Sequence, residues 1–178
     1  MCGIVGYIGT KEATAILLAG LKELEYRGYD SAGIALLETD GLRCFKAVGK
    51  LANLITKVGD YRSQAAVTAI GHTRWATHGK PSEENAHPHG LRHSRVVHNG
   101  IIENHAALRA TLSTTFASQT DTEVIVQLFE KHLALGRRAA MACSALIGCA
   151  APWINGQAHT SMCCSICRPS CSVPMPKC

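Results

Sequence analysis

The sequence predicts an α+β fold, and three observations carry that prediction. Strand-like runs rich in Ile, Val and Gly open the chain. Helical spacings of apolar residues fall among the strands in mixed order, without the strict alternation of a parallel βαβ series. No internal repeat is present.

The elements follow in order. Residues 3–9 (GIVGYIG) read as a short buried strand. Within residues 12–25, Ile16, Leu17, Leu21 and Leu24 recur at helical spacing. Arg27-Gly28 closes that helix, because glycine is favoured just past a helix C-terminus. Residues 32–38 and 42–48 form a hairpin across Asp40-Gly41, a strong turn pair. Residues 51–58 predict a second helix, and 66–71 and 94–98 two further strands. The stretch 72–93 is polar and dense in His, Gly, Pro and Asn. Loops that long inside a compact domain are functional or disordered. Residues 103–112 and 122–135 are helical, with Asp121 or Thr120 as the cap of the second.

At 178 residues, 47% hydrophobic and 17% charged, the chain suits one globular domain. No apolar stretch approaches the ~20 residues that cross a bilayer, and Lys11 and Glu12 interrupt any secretory signal. The expected location is therefore cytoplasmic, with no membrane contact. The net charge of +5 is uneven. Residues 1–136 hold 14 Lys/Arg against 13 Asp/Glu, a balance of +1, whereas residues 137–178 hold four Lys/Arg and no acid. Four scattered cations without interleaved aromatics make no nucleic-acid surface.

Cysteine at position 2 is the most informative residue. Once Met1 is removed, one residue carries both a thiol and a free α-amine. Free α-amines titrate near ~7.7–8.0 and thiols near ~8.5, so the amine is matched to take the thiol proton. Alone, Cys2 reads more readily as a small buried strand residue or a lipid attachment site, since free cysteine is usually structural.

Four polar or glycine-rich segments accompany it: Cys2-Gly3-Ile4-Val5-Gly6, then Arg27-Gly28-Tyr29-Asp30-Ser31-Ala32-Gly33, then residues 71–79 (GHTRWATHG) and 97–105 (VHNGIIENH). Over about residues 1–136 the chain resembles the class II glutamine amidotransferases of the N-terminal-nucleophile type. LEYRGYDSAG and HTRWATHG resemble in particular the glutaminase domain of the glutamine–fructose-6-phosphate aminotransferases. That resemblance implies a four-layer αββα sandwich of the N-terminal-nucleophile hydrolase type, here incomplete.

It also implies roles. Cys2 attacks the side-chain carbonyl of glutamine, and Asn99 and Gly100 supply oxyanion donors. Arg74 takes the substrate α-carboxylate and Asp121 its α-ammonium, a role in which Asp121 competes with its own capping role. Trp75, Thr77 and His78 lie in a segment that closes over glutamine in the family, and Trp75 there gates the passage of ammonia; packing in the core is the alternative for Trp75. No cofactor is implied. Fructose 6-phosphate is a partner only through isomerase domains not recognisable here, and full-length members form homodimers. No metal site is expected: His72, His78, His87, His89, His93 and His98 cluster without the i, i+4 spacing of a zinc hydrolase.

Two departures stand out. Leu112-Ser113-Thr114-Thr115-Phe116 is shorter than the family usually shows, which threatens the placement of Asp121. From Arg137 onward the chain holds seven of its nine cysteines and four of its six prolines. Three readings of residues 137–178 stay open: a frameshifted or disordered tail of a truncated product, a small metal module using His159, Cys163, Cys164, Cys167, Cys171 and Cys178, or a disulfide cluster. On the first, the chain is an inactive remnant; on the second, it is a Cys-rich module that binds a metal or a partner.

Overall fold

The computed structural model describes residues 2–63 and 66–136, together with the backbone of 162–167. Four strands form the first sheet: β1 (Gly3–Ile8), β2 (Ser31–Leu37), β3 (Leu42–Val48) and β4 (Thr68–Arg74), in the order β1-β4-β2-β3. All three pairings are antiparallel. A second sheet holds β5 (His89–Gly90), β6 (Ser94–Asn99) and β7 (Met162–Cys167), with β6 in the middle.

Side-chain alternation decides what each face buries. On β2, Ala32, Ile34 and Leu36 point to one side and pack with Leu17 and Leu21 of α1 (Ala13–Glu23) and with Leu51, Leu54 and Val58 of α2 (Leu51–Val58). Ala35 points to the other side and meets Ile70 of β4 and Val97 of β6. The first sheet is thus covered by helices on one face and by the second sheet on the other. Beyond the second sheet lie α3 (His105–Ala110) and α4 (Glu123–Ala134), joined through Leu108, Leu112, Val124 and Leu128. Glu130 of α4 accepts from the Ser94 hydroxyl at 2.8 Å and the His93 amide at 2.9 Å, which fixes the helix on β6. The layers run α-β-β-α, as the resemblance implies.

Local chemistry accounts for the helix ends. The Glu12 carboxylate accepts from the amides of Thr14 (2.7 Å) and Ala15 (3.2 Å), satisfying two of the orphan donors at the start of α1. α1 does not run to Gly28. It ends at Leu24, a 3₁₀ turn over Glu25–Arg27 follows, and Gly28 caps that turn at φ 70°. The expected 72–93 loop also begins later. β4 continues to Arg74 because His72 and Thr73 are paired on both sides, with β1 and with β2, and Arg74 is paired with Ser31 of β2. Asn99-Gly100 is no hairpin turn: Asn99 ends β6 and the chain proceeds to α3.

Of the atypical tail, residues 162–167 form β7, antiparallel to β6, with Asn99 opposite Met162. The rest of 137–178, and with it the metal-module and disulfide readings, lies outside the described residues. No helix among the described residues is long and apolar enough to cross a membrane.

Gly33 of β2 is required by a close approach. A Cβ there would sit 2.2 Å from the His87 carbonyl oxygen and 2.8 Å from that of Phe45. Neither is the end of a flexible side chain, so Gly33→Ala is expected to destabilise the chain by about 1–3 kcal/mol. Chemical denaturation measures this; an unchanged midpoint would contradict the packing between the sheets.

Candidate active site

Register builds the site. Pairing of β1 with β4 sets Gly3 opposite Thr73, and the Gly3 amide donates to the Thr73 hydroxyl at 3.1 Å. Cys2 therefore emerges beside the end of β4, where the Trp75 amide donates to Cys2 Sγ at 3.2 Å. From the second sheet, Asn99 Nδ2 reaches the Cys2 carbonyl at 3.4 Å. These residues border a cleft of about 240 Å³. Cys2, Asn99, Gly100, Arg74, Trp75, Thr77, His78 and Asp121 all line it. The short 112–116 segment has not displaced Asp121 from this cleft.

Arg74 is almost fully buried, with a side chain only 4% exposed. A buried guanidinium needs partners. Nη2 donates to the carbonyls of His78 and Gly79, the latter at 3.0 Å. Nη1 is buried 3.7 Å from Asp30 Oδ1, an ion pair at longer than hydrogen-bond distance, and makes no hydrogen bond. Asp30 Oδ2 accepts the Ala76 amide, and Oδ1 accepts the Ser31 hydroxyl at 2.9 Å. Asp30 thereby holds both the arginine and the loop that follows it. Trp75, 55% exposed, rests against Gly28, where a Cβ would come within 3.1 Å of the indole ring. That placement is surface contact and not core packing.

Asp121 is buried. Its Oδ2 accepts the Ile102 amide at 2.7 Å and its Oδ1 the Thr122 amide at 2.9 Å. It does not cap α4 through its side chain. The cap residue is Thr122, which makes no side-chain capping bond, while the Glu123 carboxylate turns back to the amides of Ala117 (2.8 Å) and Ser118 (2.6 Å).

A stack of buried imidazoles runs from His87, which lines the cleft, into the interior. His72 Nδ1 is 3.2 Å from His87 Nδ1, their rings meet edge-on at 4.2 Å, and His87 meets His89 in the same way at 4.6 Å. Burial holds His72 down to about 3 and pushes His87 and His89 well below the usual imidazole range. Burial also lowers His98, opposed by the nearby Asp121 charge. All four are neutral at pH 7. Among the described residues no group of three or more His, Cys, Asp or Glu side chains is arranged to hold a metal ion.

Residues 57–148 match the family model described as the glutamine amidotransferase domain. The chain belongs to the glutamine amidotransferase domain family. The match extends past the composition break at residue 136. Among curated relatives, the glutamine–fructose-6-phosphate aminotransferase (isomerizing) of Campylobacter jejuni is 63% identical over 133 residues, covering 73% of this chain and 22% of that protein. The Helicobacter pylori enzyme of the same name is 57% identical over 136 residues, covering 75% and 23%. The chain thus spans less than a quarter of the length of these relatives. Among solved structures, the glutamine phosphoribosylpyrophosphate amidotransferase from B. subtilis, complexed with ADP and GMP, superposes with a TM-score of 0.63 at 27% identity, over 74% of this chain and 29% of that one.

Sequence reasoning passed over Asp30, His87 and His98 as site residues. Asp30 lies within the glycine-rich segment 27–33, and its position just before β2 is the available signal. Nothing local marks a histidine that becomes buried through pairing between sheets.

The neutral histidines make folding stability depend on pH. Their folded pKa values lie below the unfolded value near 6.5, so below that pH the unfolded chain binds protons that the folded chain refuses. Stability is fully present above about pH 6.5 and declines by up to about 1.4 kcal/mol per pH unit for each histidine as pH falls towards the folded values. Denaturation midpoints at pH 7, 6 and 5 check this; a flat profile over that range contradicts neutral, buried rings.

Proposed function

We propose that this glutamine amidotransferase domain hydrolyses glutamine to glutamate and ammonia through a thioester on Cys2. The observation that carries this reading is the convergence of Cys2, Arg74, Asn99, Gly100 and Asp121 on one cleft. The relatives named glutamine–fructose-6-phosphate aminotransferase support fructose 6-phosphate as the eventual acceptor of that nitrogen.

The chemistry balances on these groups. The sulfur of processed Cys2 attacks the side-chain carbonyl carbon of glutamine, and its proton passes to the α-amine of the same residue. The tetrahedral oxygen takes hydrogen bonds from Asn99 Nδ2 and the Gly100 amide. Collapse forms the thioester and expels nitrogen, which leaves as ammonia after receiving the proton. Water then adds to the thioester, and glutamate departs as the thiol is restored. Arg74 offers its remaining donor to the substrate α-carboxylate, and Asp121 offers negative charge to the α-ammonium. Thr77, His78 and Trp75 form the rim that covers the bound substrate.

Purified chain with Met1 confirmed as removed by mass spectrometry is the material for the test. Cys2→Ala is expected to abolish glutaminase activity. Asn99→Ala is expected to lower kcat by about 10²–10³ with KM little changed, since it removes a donor used by the transition state. Hydrolysis by Cys2→Ala at the parental rate would sink the assignment of the nucleophile.

A further inference from the structure

Asp121 lies in a segment without regular structure between α3 and α4, yet its carboxylate must be held within a fraction of an ångström to serve a charged substrate group. Its neighbours show how this is done. Thr120 Oγ1 is 3.0 Å from His89 Nε2, and Thr122 Oγ1 is 3.2 Å from His98 Nδ1. The two residues flanking Asp121 are each tied by a hydroxyl to a buried imidazole. His89 stands on β5 and His98 on β6, paired strands of one sheet. Arg109 adds a third tie, with Nη1 on the Thr120 carbonyl at 3.0 Å.

We propose that His89 and His98 are positioning residues that clamp the Thr120–Asp121–Thr122 turn and thereby set the affinity for the α-ammonium of glutamine. The inference rests on the reading of Asp121 as the ammonium partner. A neutral imidazole has one N–H and one lone pair, so each ring commits one nitrogen to its threonine without bringing a charge near the Asp121 carboxylate. A cation at either place would compete with the substrate ammonium for that carboxylate. Histidines kept neutral by burial meet both demands. Thr120 and Thr122 themselves line the cleft, so the clamp acts within reach of the substrate.

The test measures binding by calorimetry on the full chain carrying Cys2→Ala, with glutamine and with glutaramate, the same molecule without its amino group. Thr120→Val and Thr122→Val remove one hydroxyl each at nearly constant shape. Each is expected to weaken glutamine about tenfold while changing glutaramate less than about twofold, the loss expected from one mispositioned charged contact. Retained glutaramate binding shows that the variant is folded. His98→Asn and His89→Gln, which keep a polar atom near the clamping nitrogen, should hold glutamine affinity within about threefold, whereas alanine at either position should not.

Equal weakening of both ligands, or of neither, overturns the clamp. Asp121→Asn in the same background separates the two ideas. If it erases the preference for glutamine over glutaramate while the threonine variants keep it, only the clamp fails. If Asp121→Asn keeps the preference, the ammonium reading fails and the clamp with it. Failure of the parental Cys2→Ala chain to bind either ligand overturns both.

Discussion

A guanidinium removed from water at the end of β4 governs the architecture of the site. Arg74 sits where three parts of the chain meet: the Asp30 turn, the strand that carries Arg74, and the loop that follows it. Its charge costs several kcal/mol to bury unless it is paired and hydrogen-bonded. The Asp30 carboxylate and the carbonyls of His78 and Gly79 meet that cost. In doing so they fix the loop whose first amide, that of Trp75, points at the Cys2 sulfur. The group proposed to bind the substrate carboxylate therefore also organises the surroundings of Cys2.

The space between the sheets works by the opposite strategy. His72 and His87 there, and His89 and His98 on the side of the second sheet that meets Thr120 and Thr122, carry no charge, because burial disfavours the protonated ring. Small residues make room for them. Gly33 admits the His87 carbonyl, and Ala35 leaves room for Val97. Rings of this kind supply directional hydrogen bonds at short range without the long-range field of a cation. That suits a cleft whose two fixed charges, Arg74 and Asp121, are proposed to read the two opposite charges on the α-carbon of one amino acid. The only described charges built into the floor of the cleft are then those the substrate needs.

The tail enters through β6. A middle strand needs hydrogen-bond partners along both edges, and β5 covers only the start of β6. Residues 162–167 supply the other edge along the whole strand, from Ser94 to Asn99. The same strand bears Asn99, the proposed oxyanion donor, and His98, one half of the clamp. Backbone pairing asks little of sequence, so a segment of unusual composition fulfils it as long as its amides and carbonyls are free.

By itself the amino-acid sequence determined the α+β class and nearly every strand and helix, and its motifs marked most of the residues that the cleft gathers, but not His87, His98 or the part played by Asp30. Periodicity and turn chemistry are local: Leu17 and Leu21 mark their helix, and Asp40-Gly41 its hairpin, within a few residues. The motif residues were legible because each departs from apolar patterning. Only the tertiary structure decided how they are used. It extended β4 through Thr73 by pairing on both edges and to Arg74 by pairing with β2, moved the end of α1 from Gly28 to Leu24, and turned Gly28 into the seat of Trp75. It assigned Asp30 to Arg74 across 44 residues of chain, and took the carboxylate of Asp121 away from helix capping to the amides of Ile102 and Thr122. It also made the histidines neutral, since desolvation depends on what closes over a ring, and that cover comes from distant segments of the chain.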